Sequence, residues 1–311
     1  MAMLNPEFAV NSSLALIIPT RNRPDLLRRL LANLEELRVK PDVVIVVDSS
    51  DAENWCELKS EVIKIRQIMT EYKSAAIQRN IGLDYLRDHN IAKNLHFISF
   101  LDDDVLVPIE YFELVLKDFA QIKDCVGISG IAKSTEYSRT RIKRTWLTDW
   151  IGITGNPGML TDAAVNISPI GLKEKAEVDW LIGCSTWKIE TLEDLRFESD
   201  FFGHSIFEDV IFSTRAGKLG KLVCDPFIVL RHDLAIEGRP LAMEHYANWV
   251  INRFRIFSYN VPSLSLYKFW LLTFLLIVSS AVISPFSAYH RSKVSGLVLG
   301  VRKLMIYRFY K

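Results

Sequence analysis

Short apolar runs alternate with helical repeats over the first 230 residues of the chain. Residues 14–18 and 43–47 are continuous apolar runs, typical of strands buried on both faces of a sheet. From Pro24 onward, apolar residues recur at helical spacing, so the pattern there predicts a strand, a turn and a helix. Because this alternation continues along the chain, we expect a Rossmann-like α/β fold with a mostly parallel sheet and helices on both faces.

The same pattern predicts the remaining elements. The predicted strands cover residues 14–18, 43–47, 62–65, 95–101, 178–189 and 223–230. The predicted helices begin at Pro24, Lys73, Pro108 and about Ser205, and the last of them ends at Gly217. Between residues 131 and 177 glycine and proline interrupt the pattern, which indicates an insertion that shapes a substrate site.

Composition narrows the class of protein. The chain has 38 Lys and Arg against 37 Asp and Glu, so its charge balance gives no reason to expect a nucleic-acid partner. Its four cysteines are scattered and form neither a metal-binding pair nor a disulfide framework, which is typical of a reducing compartment. The N-terminus lacks a basic region followed by an apolar one, so we expect the first half to stay in the cytosol.

A membrane signal lies near the C-terminus. Residues 269–288 carry no charge, and a helix of that length is about 30 Å long, the hydrocarbon thickness of a bilayer. Such a helix could span the membrane, lie in its plane or form a hairpin, or pack on the rest of the protein. The sequence from Ser284 onward has six basic residues and no acid, which suits anionic lipid on the cytoplasmic side. A spanning helix would place this basic tail and the first 240 residues on opposite sides of the membrane, against the tendency of positive charge to stay on the cytoplasmic side. In-plane attachment or a hairpin removes that conflict.

Polar residues follow several predicted strands at the point where each ends. Such residues converge at one edge of an open α/β sheet, where ligands bind. Crowded carboxylates repel one another, and a hard divalent cation such as Mn²⁺ or Mg²⁺ relieves that repulsion. A solvated turn or a helix N-cap is the alternative for three consecutive aspartates. The residues concerned are Thr20, Arg21, Asn22, Asp48, Asp102, Asp103 and Asp104.

Five segments, in this order, resemble glycosyltransferase family two. They are IIPTRN at 17–22, VVDSS at 46–50, AIQRNIG at 76–82, FLDDD at 100–104, and the segment 207–217 that begins FED. The resemblance covers roughly residues 14–233. It implies a GT-A fold and an inverting, metal-dependent transfer of a sugar from a nucleotide diphosphate donor to an acceptor hydroxyl, with a UDP-sugar as the default donor.

The resemblance also implies a role for each matching residue. Asp209 would be the catalytic base, with Glu208 as the neighbouring candidate. The metal would be bound by Asp104, with Asp102 and His232 as further ligands, although a lone histidine is as often structural. The nucleotide would be bound by Thr20, Arg21, Asn22, Asp48, Arg79, Asp102 and Asp103. The acceptor site would include Trp180, Gly183 and Cys184, and Gly183 has a strand bulge as its alternative explanation.

The resemblance and the C-terminal apolar segment together predict how the chain is organised and where it acts. Residues 1–240 would form the catalytic domain, with a nucleotide-sugar half at about 14–130 and an acceptor half at about 131–240. Residues 241–311 would form a helical, membrane-associating region. The acceptor would then be a lipid-linked or surface-glycan precursor at the cytoplasmic face of the membrane.

Two departures and two alternatives qualify this interpretation. The family more often has two acids and a glycine where this chain has Asp48-Ser49-Ser50. The chain also lacks the signature Gln/Arg-x-x-Arg-Trp of processive polysaccharide synthases, and this absence favours one transfer per encounter. A sugar nucleotidyltransferase would want a glycine-rich loop after the first strand, and residues 19–24 contain no glycine. The second alternative is a non-catalytic membrane-associated binding protein, and the acids at 102–104 and 208–209 argue against it.

Overall fold

The computed structural model describes residues 13–134, 142–199, 206–233 and 242–308. The strands are β1 Leu14–Thr20, β2 Val43–Asp48, β3 Ile65–Met69, β4 Phe97–Phe100, β5 Val105–Leu106, β6 Cys125–Ser134, β7 Ala176–Glu177, β8 Ser185–Lys188 and β9 Lys221–His232. The helices are α1 Pro24–Glu35, α2 Ala75–Asp88, α3 Tyr111–Gln121, α4 Trp146–Trp150, α5 Glu208–Ala216, α6 Ala242–Arg255, α7 Leu266–Ile283 and α8 Ala288–Arg308.

The described strands form one sheet in the order β3-β2-β1-β4-β8-β6-β9-β5, with β7 paired to β9. Strands β1 to β4 run parallel, whereas β8 lies antiparallel between β4 and β6. Strands β6 and β9 are again parallel. The predicted mostly parallel α/β sheet is therefore confirmed, with antiparallel strands only in its second half.

Alternate residues of the central strands pack on opposite sides of the sheet. Leu14, Leu16 and Ile18 contact the apolar face of α1 and that of α3. Ala15 and Ile17 contact α2 on the other side, in a core that also includes α5. Helix α2 approaches β1 closely because residue 82 is glycine: a Cβ there would lie 2.6 Å from Cγ2 of Ile17. Helices thus cover both faces, as predicted.

Several predicted boundaries were wrong. Strand β3 begins at Ile65 rather than at residue 62. Only Ser185–Lys188 of the predicted strand 178–189 is a strand, since the backbone N–H of Leu181 donates to the Ser213 hydroxyl of α5 rather than to a strand. Helix α3 begins at Tyr111, three residues after Pro108. The predicted start of α5 at Ser205 and the predicted domain boundary at residue 240 lie outside the described residues.

The insertion predicted between residues 131 and 177 contains regular structure that the pattern did not indicate. Strand β6 extends to Ser134, and the short helix α4 follows at Trp146. The end of the insertion is held by Lys175, which forms ion pairs with the buried carboxylates of Asp118 and Asp225. These contacts fix the insertion against α3 and β9.

Helices α6, α7 and α8 form a small bundle with its own apolar core. Val250, Phe269 and Leu297, one from each helix, are fully buried there. Helix α8 lies against α6 through Gly296 and Gly300: a Cβ at Gly296 would lie 2.3 Å from the Met243 carbonyl oxygen. Small residues four apart permit such close helix contact.

Helix α7 is apolar on both of its faces. Phe269, Leu272 and Thr273 face the bundle and are buried, whereas Phe274 and Val282 are exposed. By length and composition, Leu266–Phe286 could cross a membrane, and 22% of its most apolar stretch is buried. The exposed face of α7 is therefore a large apolar surface, and its contact with water is unfavourable.

Replacing Gly300 with valine should destabilise this bundle. A Cβ at residue 300 would lie 2.8 Å from the Ala247 carbonyl oxygen and 2.8 Å from Cβ of Val250, so α8 must move away from α6. We expect a loss of about 1–3 kcal/mol in the free energy of unfolding, measured by urea denaturation. The exposed residue Val298, changed to alanine on the same helix, is the control and should cost under about 0.5 kcal/mol.

Candidate active site

Three parallel strands end at the same edge of the sheet and bring their polar residues together. Thr20, the last residue of β1, is in register with Asp48, the last residue of β2. On the other side of β1, Ile17 is paired with Phe100 of β4, so the aspartates that follow Phe100 reach the same edge. This is the crevice at the carboxyl ends of the strands, where α/β folds bind their ligands.

Asp103 lies against the turn after β1. Its Oδ2 accepts a hydrogen bond from the Thr20 hydroxyl at 2.7 Å, and its Oδ1 accepts one from the Arg23 guanidinium at 3.0 Å. Burial raises the pKa of Asp103 to about 6, although the positive charge of Arg23 opposes this shift. Asp103 therefore holds the β1 turn in place.

The turns after β1 and β2 are also fastened to each other. The Asn22 backbone N–H donates to the Ser50 hydroxyl, and the Asn22 side-chain amide donates to Asp51, both at 2.7 Å. Asp48 is buried, and its Oδ1 accepts the backbone N–H of Ser50 at 2.8 Å. Asp51 is exposed at this turn, and so is Arg21.

His232 reaches the aspartates through a strand pairing. The two-residue strand β5, directly after Asp104, pairs with the end of β9, with Val105 opposite His232. This places His232 Nε2 at 3.0 Å from Oδ1 of Asp104. The Asp104 carboxylate also lies 3.6 Å from the Arg23 guanidinium. One imidazole and one carboxylate thus meet at the edge of the crevice.

Arg79 joins two of the acidic clusters. It is buried on α2, and its guanidinium contacts Asp102 at 2.6 Å and forms a second ion pair with Glu208 of α5. Its guanidinium carbon lies 5.3 Å from the ring centre of Phe197, within cation–π range. Burial alone would lower the pKa of Arg79, but the two carboxylates outweigh burial and raise it, so Arg79 stays charged.

Asp209 lies next to this ion pair but differs from it chemically. Burial, with the negative charge of Glu208 added, raises the pKa of Asp209 to about 7. Its Oδ1 accepts the backbone N–H of Val210 at 2.8 Å, in the first turn of α5. Glu208 is neutralised by Arg79, whereas Asp209 can exchange a proton near neutral pH. The two neighbouring acids are therefore suited to different tasks.

The predicted acceptor residues differ in their surroundings. A Cβ at Gly183 would lie 3.1 Å from the Arg79 guanidinium, so glycine leaves room for that side chain. The Cys184 thiol is buried and lies 3.5 Å from the backbone nitrogen of Asp102. Trp180 is buried in the core, and its indole donates to the Ile167 carbonyl at 3.2 Å. Only Gly183 and Cys184 thus adjoin the acidic centre directly.

The donor set fits a divalent cation whose shell is completed by phosphate and water. Within the described residues, no group of three or more His, Cys, Asp or Glu side chains is arranged to hold a metal by itself. Asp102 is turned toward Arg79, whereas Asp104 and His232 stand together at the crevice. Magnesium is commonly bound through one or two carboxylates plus substrate phosphate oxygens. Asp104 would supply one carboxylate here, with the imidazole nitrogen of His232 beside it.

Three supporting residues were not identified as functional from the sequence. The side chain of Gln78 donates to the carbonyl oxygens of Thr20 and Val47, both at 2.8 Å, so it ties the ends of β1 and β2 together. Asn80 forms two hydrogen bonds with the backbone of Phe197. Gln78 and Asn80 both belong to the AIQRNIG segment, and membership of that segment was the sequence signal that could have identified them. Arg23, the third, stands one residue beyond the IIPTRN segment.

Comparisons with known proteins agree with this fold. The family model described as Glycosyl transferase family 2 matches residues 15–168. The crystal structure of S. aureus TarS 1-349 in complex with UDP-GlcNAc superposes with a TM-score of 0.52 at 13% identity, covering 94% of this chain and 92% of that one. The crystal structure of S. aureus TarS gives a TM-score of 0.50 at 13% identity, covering 93% of this chain and 55% of that one. No curated protein sequence matches this chain significantly. At such low identity the structural likeness establishes the GT-A fold alone.

Proposed function

Because the chain belongs to glycosyl transferase family 2, we propose that this glycosyltransferase moves a sugar from a nucleoside diphosphate donor to an acceptor hydroxyl with inversion at the anomeric carbon. One observation carries the proposal. Of two adjacent acids at the start of α5, Glu208 is held by Arg79, while the pKa of Asp209 is raised to about 7. A general base works best when its pKa is near the working pH.

In the proposed reaction, Asp209 takes the proton of the acceptor hydroxyl while the hydroxyl oxygen attacks the anomeric carbon. The bond from the anomeric carbon to the phosphate oxygen breaks, and its electron pair leaves with the nucleoside diphosphate. A single displacement from the face opposite the leaving group inverts the configuration. Arg79 pairs with Glu208 beside Asp209, and the negative charge of Glu208 helps to hold the pKa of Asp209 high.

The donor nucleotide is assigned to the joined turns after β1 and β2. The exposed groups at these turns are Arg21 and Asp51. The turns themselves are held in position by hydrogen bonds to the buried side chains of Asp48, Asp103 and Gln78. A uridine diphosphate sugar is the first donor to test, since TarS, which shares the fold, was crystallised with UDP-GlcNAc. Asp51 and Arg21 offer an acceptor and a donor group for the nucleoside.

We assign a divalent cation, Mn²⁺ or Mg²⁺, to Asp104 and His232. When bound, the cation would neutralise charge that develops on the departing diphosphate. Asp104 and His232 would hold it at the crevice, and Asp102, bound to Arg79, would help to orient the arginine instead. Asp103 would keep the β1 turn closed over the phosphates through Thr20 and Arg23.

The acceptor is proposed to be a lipid-linked or surface-glycan precursor, presented at the cytoplasmic face of a membrane. The exposed apolar face of α7 supports attachment to a bilayer. Because the opposite face of α7 packs on α6 and α8, which carry polar and charged residues, an in-plane orientation suits the bundle better than a spanning one. The acceptor half would then lie close to the lipid surface.

Calorimetric binding of UDP, UDP-GlcNAc and other nucleotide diphosphates, with and without Mn²⁺, tests the donor and metal assignments. We expect Mn²⁺ to strengthen the binding of one nucleotide, and Asp104→Asn to weaken that metal-dependent binding on the order of tenfold. Asp88→Asn, on an exposed carboxylate at the end of α2, is the control and should bind like wild type.

Each contrary result shows which assignment is wrong, that of the metal or that of the donor site. Nucleotide binding that is equal with and without Mn²⁺, and unchanged in Asp104→Asn, would remove the metal from the proposal but leave the donor site. Failure of a folded wild-type protein to bind any nucleotide would overturn the donor site itself.

A further inference from the structure

Helix α4 presents exposed indole rings at the start of the acceptor half. Trp146 is 80% exposed and Trp150 is 49% exposed, with Leu147 exposed between them. Helix α4 is stabilised at its N-terminus by a reciprocal capping box between Thr145 and Thr148. Two exposed tryptophans on five residues form an apolar surface that the described part of the chain leaves uncovered. We call residues 142–150 the tryptophan segment.

The tryptophan segment is attached to the beginning of α7. The Lys268 ammonium lies 5.8 Å from the ring centre of Trp150 and forms an ion pair with Asp162. The Asp162 carbonyl accepts the backbone N–H of Ser265, the N-cap residue of α7, at 2.8 Å. The segment therefore lies beside the N-terminal end of the apolar helix.

A buried arginine connects the bundle to a later part of the insertion, at residue 163. Arg253 of α6 is fully buried between the rings of Trp249 and Phe269. Its Nε donates to the Ala163 carbonyl at 3.0 Å, and its second terminal nitrogen donates to the Phe269 carbonyl at 3.3 Å. The insertion and the bundle are therefore linked by direct contacts. We expect these contacts to hold the tryptophan segment at a fixed position relative to α7.

The chemistry of this end of α7 matches a lipid headgroup region. Tryptophan, tyrosine and lysine at the end of an apolar helix are the residues found at membrane interfaces, and Tyr267 is also exposed here. Lys143 and Arg144 add positive charge beside the indoles. The segment contains one acid, Asp149, and Arg144 forms an ion pair with it at 2.9 Å, which reduces its repulsion of anionic lipid.

We propose that the tryptophan segment is a second membrane contact, which inserts Trp146 and Trp150 into the headgroup region of an anionic leaflet. This inference rests on the in-plane attachment of α7 in the proposed function, and it continues that surface into the acceptor half. The insertion is then held against the leaflet by its own side chains, and a lipid-linked acceptor would enter the crevice beside it.

Vesicle co-sedimentation of the full chain tests the inference, with phosphatidylcholine vesicles that do or do not contain phosphatidylglycerol. We expect Trp146→Ser/Trp150→Ser to lower partition onto the anionic vesicles roughly tenfold, because the burial of two indoles at the interface is lost. Trp55→Ser is the matched control: Trp55 is 42% exposed in the nucleotide half, and its loss should leave partition unchanged.

The outcomes separate the inference from the proposal beneath it. If wild type binds the vesicles and the double variant binds equally well, the tryptophan segment does not contact lipid. If wild type does not bind either kind of vesicle, in-plane attachment fails and the inference fails with it, while nucleotide binding tests sugar transfer separately.

A second measurement decides the matter if the double variant does not fold. In a Cys56→Ser background, an NBD fluorophore on Trp146→Cys should shift to the blue when the protein binds vesicles. The native cysteines other than Cys56 are buried, so labelling is directed to position 146. An unshifted spectrum on vesicles that carry bound protein would overturn the inference.

Discussion

Replacing Asp209 with asparagine should lower kcat roughly 10³-fold while donor binding stays close to that of wild type. The substitution keeps the size and polarity of the side chain but removes its capacity to take a proton. Wild-type kcat/KM should rise with pH through about 7, since Asp209, whose pKa is raised to about 7 by burial and by Glu208, must be deprotonated to act as a base. The residual activity of Asp209→Asn should lack that rise.

Glu208→Gln distinguishes the two acids. The glutamine can still accept a hydrogen bond from Arg79, but it removes the negative charge beside Asp209. We expect the rise in kcat/KM to move to lower pH, because the charge of Glu208 contributes to the raised pKa of Asp209. If a folded Glu208→Gln lost activity as completely as Asp209→Asn did, without any shift in its pH profile, the base would have to be reassigned.

Arg79→Met should destabilise the fold by about 3–5 kcal/mol, because it removes the Arg79 cation from the buried carboxylate of Glu208. Asp102 is about one-third exposed, so water can solvate part of its charge, and we attribute most of the loss to Glu208. Chemical denaturation of wild type and of Arg79→Met at the same pH measures this loss.

Two further variants give this prediction its controls. Arg66→Met, on an exposed arginine of β3, should cost under about 0.5 kcal/mol. The double variant Arg79→Met/Glu208→Leu should recover much of the stability that Arg79→Met loses, since it removes both partners of the buried pair. A double variant no more stable than Arg79→Met would indicate that arginine packing against Phe197, rather than its charge, supports the fold.

Local pattern was sufficient for the first three regular elements of the chain. The continuous apolar runs of β1 and β2 and the helical repeat of α1 predict structure within one or two residues of what is observed. Strand β6 was missed because Gly127 and Gly130 interrupt its pattern. Those glycines are required by packing: a Cβ at Gly130 would lie 2.1 Å from the Ile228 carbonyl oxygen of β9. The predicted strand at 178–189 was too long because Leu181 donates its backbone N–H to the Ser213 hydroxyl rather than to a neighbouring strand.

The sequence by itself determined which residues stand at strand ends, and hence that carboxylates gather at one edge of a parallel sheet. It could not determine which carboxylate meets which partner. Tertiary structure decided that Arg79 neutralises Glu208 and leaves Asp209 to titrate, and that the β5–β9 pairing brings His232 to Asp104 across 127 intervening residues. The physical reason is that strand ends follow from local periodicity, whereas contacts between distant residues depend on register and packing across the whole sheet.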